Sequence, residues 1–234
     1  MPMIENTKKV RRARAMRGFS LIEVCVVVLV AVTIMGMALP SVMSTVRSYR
    51  AMGDARKISG ALSMARMRSA ADFTQTRLFL NLTKNTYRID IWNKAGNVSN
   101  PTGCWQTEAA TSAAPCDATT SASSTVGADT PFGGGSVAGV GSASTAPPST
   151  QTTFGQAPTC LNNAGSSISS TGCIVFNSRG IPVTPGNPLA TNNTATSNDA
   201  IYFSTQTGTT YGVEVLATGK ISVWAYNNSS WVQQ

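Results

Sequence analysis

The chain has 234 residues, with 18 Lys and Arg against 10 Asp and Glu, a formal net charge of +8, and no histidine. Without histidine it lacks the Ser-His-Asp and Cys-His nucleophiles, His-containing zinc sites and the commonest general base near neutral pH, so neither catalysis, nor a cofactor, nor a metal is expected. Aromatic residues make up 7%, and 20 Gly and 11 Pro accompany abundant Ser, Thr, Ala and Asn, which predicts one modest core with long loops.

The positive charge is concentrated early. Residues 1–18 carry Lys8, Lys9, Arg11, Arg12, Arg14 and Arg17 against Glu5 alone. From residue 95 onward the only basic residues are Arg179 and Lys220, set against Glu108, Asp117, Asp129, Asp199 and Glu214. The excess charge therefore belongs to the N-terminal third and does not mark the C-terminal region as a basic nucleic-acid surface.

Phe19 to Leu39 is an apolar run of 21 residues with one charge, Glu23. As a helix it extends about 31 Å, enough to cross a bilayer core, and the basic residues before it place 1–18 in the cytoplasm and the rest outside. A secretory signal peptide is the plainer alternative. The run is longer than the usual signal core, however, and Leu39-Pro40-Ser41 leads into another helical pattern instead of a small-x-small cleavage site. A plain single-pass anchor leaves Glu23 unexplained, because a carboxylate in a hydrocarbon span costs a few kcal/mol unless it is paired. A cut between Gly18 and Phe19 would create an amine one helical turn from Glu23, in the same chain or in a neighbour beside it. Cys25, in the same run, is expected to act as a small buried hydrophobe.

Arg17-Gly18-Phe19-Ser20-Leu21-Ile22-Glu23-Val24 resembles the class III signal of type IV pilins and of the pseudopilins of type II secretion: a basic leader ending in Gly, then Phe, then an acid at the fifth mature position. The resemblance implies cleavage after Gly18 by a prepilin peptidase, methylation of the Phe19 amine, and a role for Glu23 in docking subunits into a helical filament. Pro40 also matches that family, in which a Pro near the end of the membrane helix kinks it and the stretch before it, here Gly36 to Pro40, can lose helicity. The local physics agrees, since Pro removes a helix hydrogen bond and disfavours helix at the preceding residue.

Beyond Pro40 the pattern stays helical and becomes amphipathic. Val42, Val46, Tyr49, Ile58, Leu62, Ala65 and Ser69 recur at spacings of three and four and predict the buried face. Arg47, Arg50, Arg56, Lys57, Arg66 and Arg68 mark the opposite side, as a solvated face or as subunit or anion contacts, and Gly53 and Gly60 weaken the helix. A single helix of about 50 residues follows, half in lipid and half on a head domain. Residues 77–82 and 86–92 alternate apolar and polar around Thr83-Lys84-Asn85, which predicts a β-hairpin. Further strands are expected at 174–176 and 200–204, with a second hairpin from 211–215 and 220–224 turning at Ala217-Thr218-Gly219. The expected fold is α+β, an antiparallel sheet packed on a long N-terminal helix, because no helical segments separate the strands. The expected organisation is a leader at 1–18, a helix at 19–72 with its membrane part at 19–39, and a head at 73–234.

The head carries a low-complexity insertion at about 99–170. Residues 109–153 consist almost wholly of Ala, Ser, Thr, Gly and Pro, contain no Lys or Arg, and predict a loosely ordered surface loop. Gly133-Gly134-Gly135 lacks the lysine and the strand-to-helix setting of a phosphate loop. Cys104 and Cys116 flank one polar loop, and Cys160 and Cys173 another, in a region expected to face an oxidising compartment. Four cysteines allow three pairings; Cys104 with Cys116 and Cys160 with Cys173 are the simplest. Without histidine or a close Cys pair, zinc is a poor alternative.

A finer resemblance is carried by Ile174-Val175-Phe176-Asn177-Ser178-Arg179-Gly180-Ile181-Pro182 and by Thr218-Gly219-Lys220-Ile221-Ser222-Val223, which are similar to head motifs of the GspH/FimT group. This implies a minor pilin or minor pseudopilin that helps initiate or cap a filament. Its implied partners are other pilin or pseudopilin subunits, prepilin peptidase, an inner-membrane assembly platform and membrane lipid. The implied location is the bacterial inner membrane, with the head in the periplasm. Gly180 and Gly219 are expected to serve turns, and Arg179 to be a solvated turn residue. The alternative is DNA uptake, since some minor pilins of this group bind DNA through a C-terminal G-R-x-R segment. Here the matching positions read Gly219-Lys220-Ile221-Ser222, so only Lys220, with Arg179, remains as a candidate contact, and phosphate affinity grows with the number of neutralising cations.

Overall fold

A computed structural model describes residues 20–94, 103–107, 129–133, 135–148, 151, 153–186, 194, 196, 199–206, 208–227 and 229–234, and of 38–41 and 107 the backbone only. Helical residues run from Leu21 to Ala71 (α1), in two stretches, Leu21–Met37 and Val42–Ala71, that meet at the break containing Pro40. Among the described residues no single helix is long and apolar enough to cross a membrane; the two stretches together meet that criterion by length and composition as a bent pair. The chain divides into two units, one ending at Met43 and one spanning Ser44–Gln234.

In the first unit, the Glu23 and Val24 amides donate to the Ser20 carbonyl at 3.0 and 3.2 Å, which opens the helix. Ser20-x-x-Glu23 has the spacing of a capping box, and an acid in the first turn complements the helix dipole. Leu21, Ile22, Val27, Leu29, Ile34 and Met35 are exposed along this stretch. Cys25 is a free, exposed thiol, so it is not a buried hydrophobe within this chain.

In the second unit, eleven strands follow the helix among the described residues: β1 (Thr76–Asn81), β2 (Thr86–Asn93), β3 (Cys104–Thr107), β4 (Thr130–Pro131), β5 (Ser136–Ala138), β6 (Thr171–Phe176), β7 (Pro182–Val183), β8 (Asp199–Thr205), β9 (Thr210–Val215), β10 (Ile221–Asn227) and β11 (Ser230–Gln233). The architecture is α+β and antiparallel throughout. The strands form two sheets where one was expected. One runs β3-β2-β1-β6-β7, with β4 also on β2; the other runs β11-β10-β9-β8-β5. Both predicted hairpins are present, β1 with β2 and β9 with β10.

The helix, one face of each sheet and a single apolar cluster form the core. Ala51, Ala55, Ile58, Leu62 and Ala65 meet Leu78, Leu80, Ile174 and Phe176 from the first sheet and Ile201, Phe203, Val213 and Val215 from the second. The buried stripe thus runs 51, 55, 58, 62, 65, a helical repeat that reaches back through Ser48 and not Tyr49. Val42, Val46 and Tyr49 are therefore exposed, Tyr49 by 75%, which corrects the expectation that they share the buried face. The Tyr211 hydroxyl instead reaches the Ser48 carbonyl at 3.4 Å.

The helix ends in a Schellman-type turn. The Thr74 amide donates to the Ser69 carbonyl at 3.2 Å, and Phe73 takes the left-handed conformation, φ 48°, that usually calls for glycine. The Thr74 hydroxyl on the Trp92 carbonyl and the Lys94 ammonium on the Phe73 carbonyl hold this end against β2.

The second face of the first sheet is covered as well. Phe79, Trp92, Trp105, Cys160, Ile168, Cys173, Val175 and Val183 form a second apolar cluster there. Beside it, Asp90 receives Arg77 at 2.8 Å and Arg88 at 2.9 Å, and Arg88 also pairs with Asp129 at 3.2 Å. Both guanidinium groups lie over the Phe79 ring, and that of Arg77 also over Trp105. Burial lowers the Arg77 pKa in spite of Asp90; it opposes the Arg88 charge too, but Asp90 and Asp129 together raise that pKa.

The described parts of the insertion are more structured than its composition predicts; residues 109–128, the first part of the stretch expected to be a loosely ordered loop, lie outside the described residues. Residues 129–133 and 135–148 supply β4 and β5, and Phe132 enters the core between Tyr87 and Phe203, with ring centroids at 5.9 and 5.5 Å. Residues 153–170 lie partly against the sheets, where Ala157, Cys160 and Ile168 are buried. Aromatic anchors, with Trp105 against Trp92 and Phe154 against Tyr202 besides Phe132, and a few backbone pairings offset the ordering entropy of a segment poor in apolar residues.

Candidate functional site

The expected site residues fall in three places. Gly18 and Phe19 lie outside the described residues. Glu23 sits in the first helical turn, and Pro40 lies in the break between the two helical stretches. Cys160 and Cys173 form a disulfide across the edge of the second apolar cluster. Cys104 is also disulfide-bonded, and Cys116 lies outside the described residues.

Arg179 and Lys220, which are 41 residues apart in sequence, line the same cleft. It has a volume of about 510 Å³ and is bordered by Ser59, Ser63, Arg66, Met67 and Ala70 from the helix, Arg179 and Gly180 from the β6–β7 turn, and Gly219, Lys220 and Ile221 from the β9–β10 turn. Each turn has a local cause. Asn177 shapes the first: its side-chain oxygen accepts from the Arg179 and Ile181 amides at 2.9 and 3.1 Å, and its carbonyl accepts from Gly180 at 2.9 Å. The second closes with Gly219 donating to the Leu216 carbonyl at 2.7 Å and Leu216 to the Lys220 carbonyl at 2.9 Å. Gly180 and Gly219 have φ of 71° and 79°, so both are turn glycines as expected.

Arg66 joins the two turns to the helix. Its Nη1 donates to the Gly219 carbonyl at 2.9 Å. A side chain at Gly219 would place Cβ 2.8 Å from Arg66 Cζ, and one at Gly180 would place it 3.1 Å from Arg66 Cγ. The two turn glycines thus make room for one arginine as well as permitting the turns. Arg66, expected on the wetter side of the helix as a solvated residue or a subunit or anion contact, is exposed and lines this cleft. A helical phase argument identifies it, since residue 66 directly follows buried Ala65 and is one turn beyond Leu62, on the flank of the buried stripe.

Among the described residues no Asp or Glu lines the cleft. Glu214 interacts with Lys220: its carboxylate accepts from Trp224 Nε1 at 2.6 Å, and its pKa is raised by burial, with Trp224 and Lys220 pulling it down. The cleft therefore presents three cations from three elements of the fold around one concavity, an arrangement suited to an anion. Among the described residues no group of three Cys, Asp or Glu could hold a metal ion.

No protein family, curated protein or solved structure matches the chain.

Proposed function

We propose that this protein is a structural subunit of an inner-membrane-anchored filament, a minor pilin or pseudopilin of the GspH/FimT type that helps initiate or cap a type IV pilus or a type II secretion pseudopilus. The observation that carries the reading is Arg17-Gly18-Phe19 with Glu23 at the fifth position of a membrane-length apolar run. The exposed apolar side chains of Leu21–Met37 and the α+β head support it. In this reading prepilin peptidase cuts after Gly18 and the head stands in the periplasm. The role is non-catalytic and Glu23 meets the Phe19 amine of a neighbouring subunit, a pairing worth most where water is scarce.

Mass spectrometry of the mature protein tests the processing step: residues 1–18 should be missing from the wild type and retained in Gly18→Arg. An intact leader on working wild-type protein rejects the reading. Glu23→Ala should insert into the membrane normally yet enter filaments poorly.

DNA uptake is the second reading, favoured by one specific observation, that Arg66 joins Arg179 and Lys220 on one cleft. Three cations still neutralise few phosphates, so duplex binding should be weak and lost at physiological salt. A mobility-shift assay showing tight binding that disappears with Lys220→Ala would put this reading first.

A further inference from the structure

We infer that the cleft between the helix and the β6–β7 and β9–β10 turns binds one compact oxyanion, a carboxylate or a phosphate, on a ligand with an adjoining apolar part. The inference rests on the cleft itself and stands or falls apart from filament assembly.

The geometry of Arg66 carries it. Nη1 is committed to the Gly219 carbonyl, and among the described residues no acceptor meets Nε or Nη2. Those two N–H groups share one edge of the guanidinium, and that edge matches the two oxygens of a carboxylate or phosphate in a bidentate contact. The arginine is also held in place: the Gly219 carbonyl fixes its tip, and Gly180 and Gly219 pack against its stem and face. Less side-chain freedom is then lost on binding than for a free surface arginine.

The surroundings select the ligand. Arg179 and Lys220 add positive charge from two separate turns, and Ser59 adds a hydroxyl. The Ser63 hydroxyl is occupied, donating to the Ser59 carbonyl at 2.9 Å. Met67, Ala70 and Ile221 supply apolar wall, so the preferred ligand carries hydrocarbon beside its charge. A volume of about 510 Å³ admits a small molecule or a single side chain. The cations converge on one concavity and do not track along a face, which suits one oxyanion better than a run of phosphates.

The test is isothermal titration of the full chain in detergent, in chloride buffer, with inorganic phosphate in one arm and succinate in the other. Saturable 1:1 binding in either arm supports the inference, and the tighter arm identifies the anion. Arg66→Gln should weaken binding about tenfold, and Arg66→Lys should not restore it, because lysine has no two-donor edge. Arg179→Gln, at an exposed turn position, should weaken binding severalfold without changing the unfolding temperature, and it decides the matter if Arg66→Gln fails to fold. Absence of saturation in both arms, or unchanged affinity in folded Arg66→Gln or Arg179→Gln, overturns the inference. Duplex DNA binding with a log–log salt slope steeper than about −3 also overturns it, since that requires more phosphate contacts than this cleft can make.

Discussion

Asp54 and Gly133, 79 residues apart, meet at the edge of the core: the Gly133 amide donates to Asp54 Oδ2 at 2.7 Å. The aspartate is 1% exposed, also accepts from the Ser136 hydroxyl at 3.2 Å, and has Lys57 3.6 Å away. The low-complexity insertion is thus tied to the helix by a buried carboxylate beside the place where Phe132 enters the core.

That contact leaves no room for a side chain, since a Cβ on Gly133 would lie 2.8 and 2.9 Å from the two Asp54 oxygens. Gly133→Ala should therefore destabilise the second unit by about 1–3 kcal/mol, as overpacking does. Asp54→Ala should cost about 1–3 kcal/mol by leaving buried donors unpaired, and the double variant should cost less than the sum of the two. Urea unfolding of the four proteins measures the coupling; strict additivity would refute the direct contact.

Gly219 should tolerate substitution poorly for two separable reasons. Its φ of 79° disfavours any side chain, and Arg66 Cζ would stand 2.8 Å from the new Cβ. Gly219→Ala should lower stability by about 1–3 kcal/mol. Adding Arg66→Ala should recover the steric part and leave the backbone part, so thermal unfolding of the double variant should fall between the wild type and Gly219→Ala. No recovery would mean that the backbone conformation alone sets the cost.

The Cys160–Cys173 disulfide closes a loop across 13 residues. In the chain-entropy description a loop of that size contributes about 3 kcal/mol by restricting the unfolded chain. Cys160→Ser with Cys173→Ser should lower the urea midpoint accordingly, and reductant should lower the wild type toward it while leaving the double variant's Cys160–Cys173 region unaffected. A double variant as stable as wild type removes this disulfide from the stabilising interactions.

Asp199 gives the stability a pH dependence. It is buried at the start of β8, and burial pushes its pKa up from 3.8 to about 6, with Thr196 pulling the other way. An acid whose folded pKa lies above its unfolded value stabilises fully below the unfolded pKa and loses that contribution as pH rises through the folded one. The Asp199 contribution should therefore decline between pH 4 and 7, by about 2–3 kcal/mol. Asp199→Asn should flatten this decline and be more stable than wild type at pH 7. Parallel stability curves for the two proteins between pH 4 and 7 would show that Asp199 does not titrate as its burial implies.

The sequence by itself determined the elements whose signals are local. The β1–β2 and β9–β10 hairpins follow from two-residue alternation around short polar turns, and the turn roles of Gly180 and Gly219 from glycine's access to positive φ. The position of the helical residues follows from hydropathy, and the Cys160–Cys173 pairing lay within the range left open by cysteine spacing. The tertiary structure alone decided what depends on a distant partner. The alternating polar residues Arg77, Arg88 and Asp90 could have faced water, and are instead buried together because residues 153–170 and β3 cover that face. Residues 129–148 carry too little apolar surface to order alone, and take their place through Phe132 and through Asp54 on the helix. Arg66, Arg179 and Lys220 stand far apart along the chain, and no local pattern places them on one cleft. Periodicity records which side of an element is apolar; it does not record which other element will come to lie on either side, because that is settled by packing among segments distant in sequence.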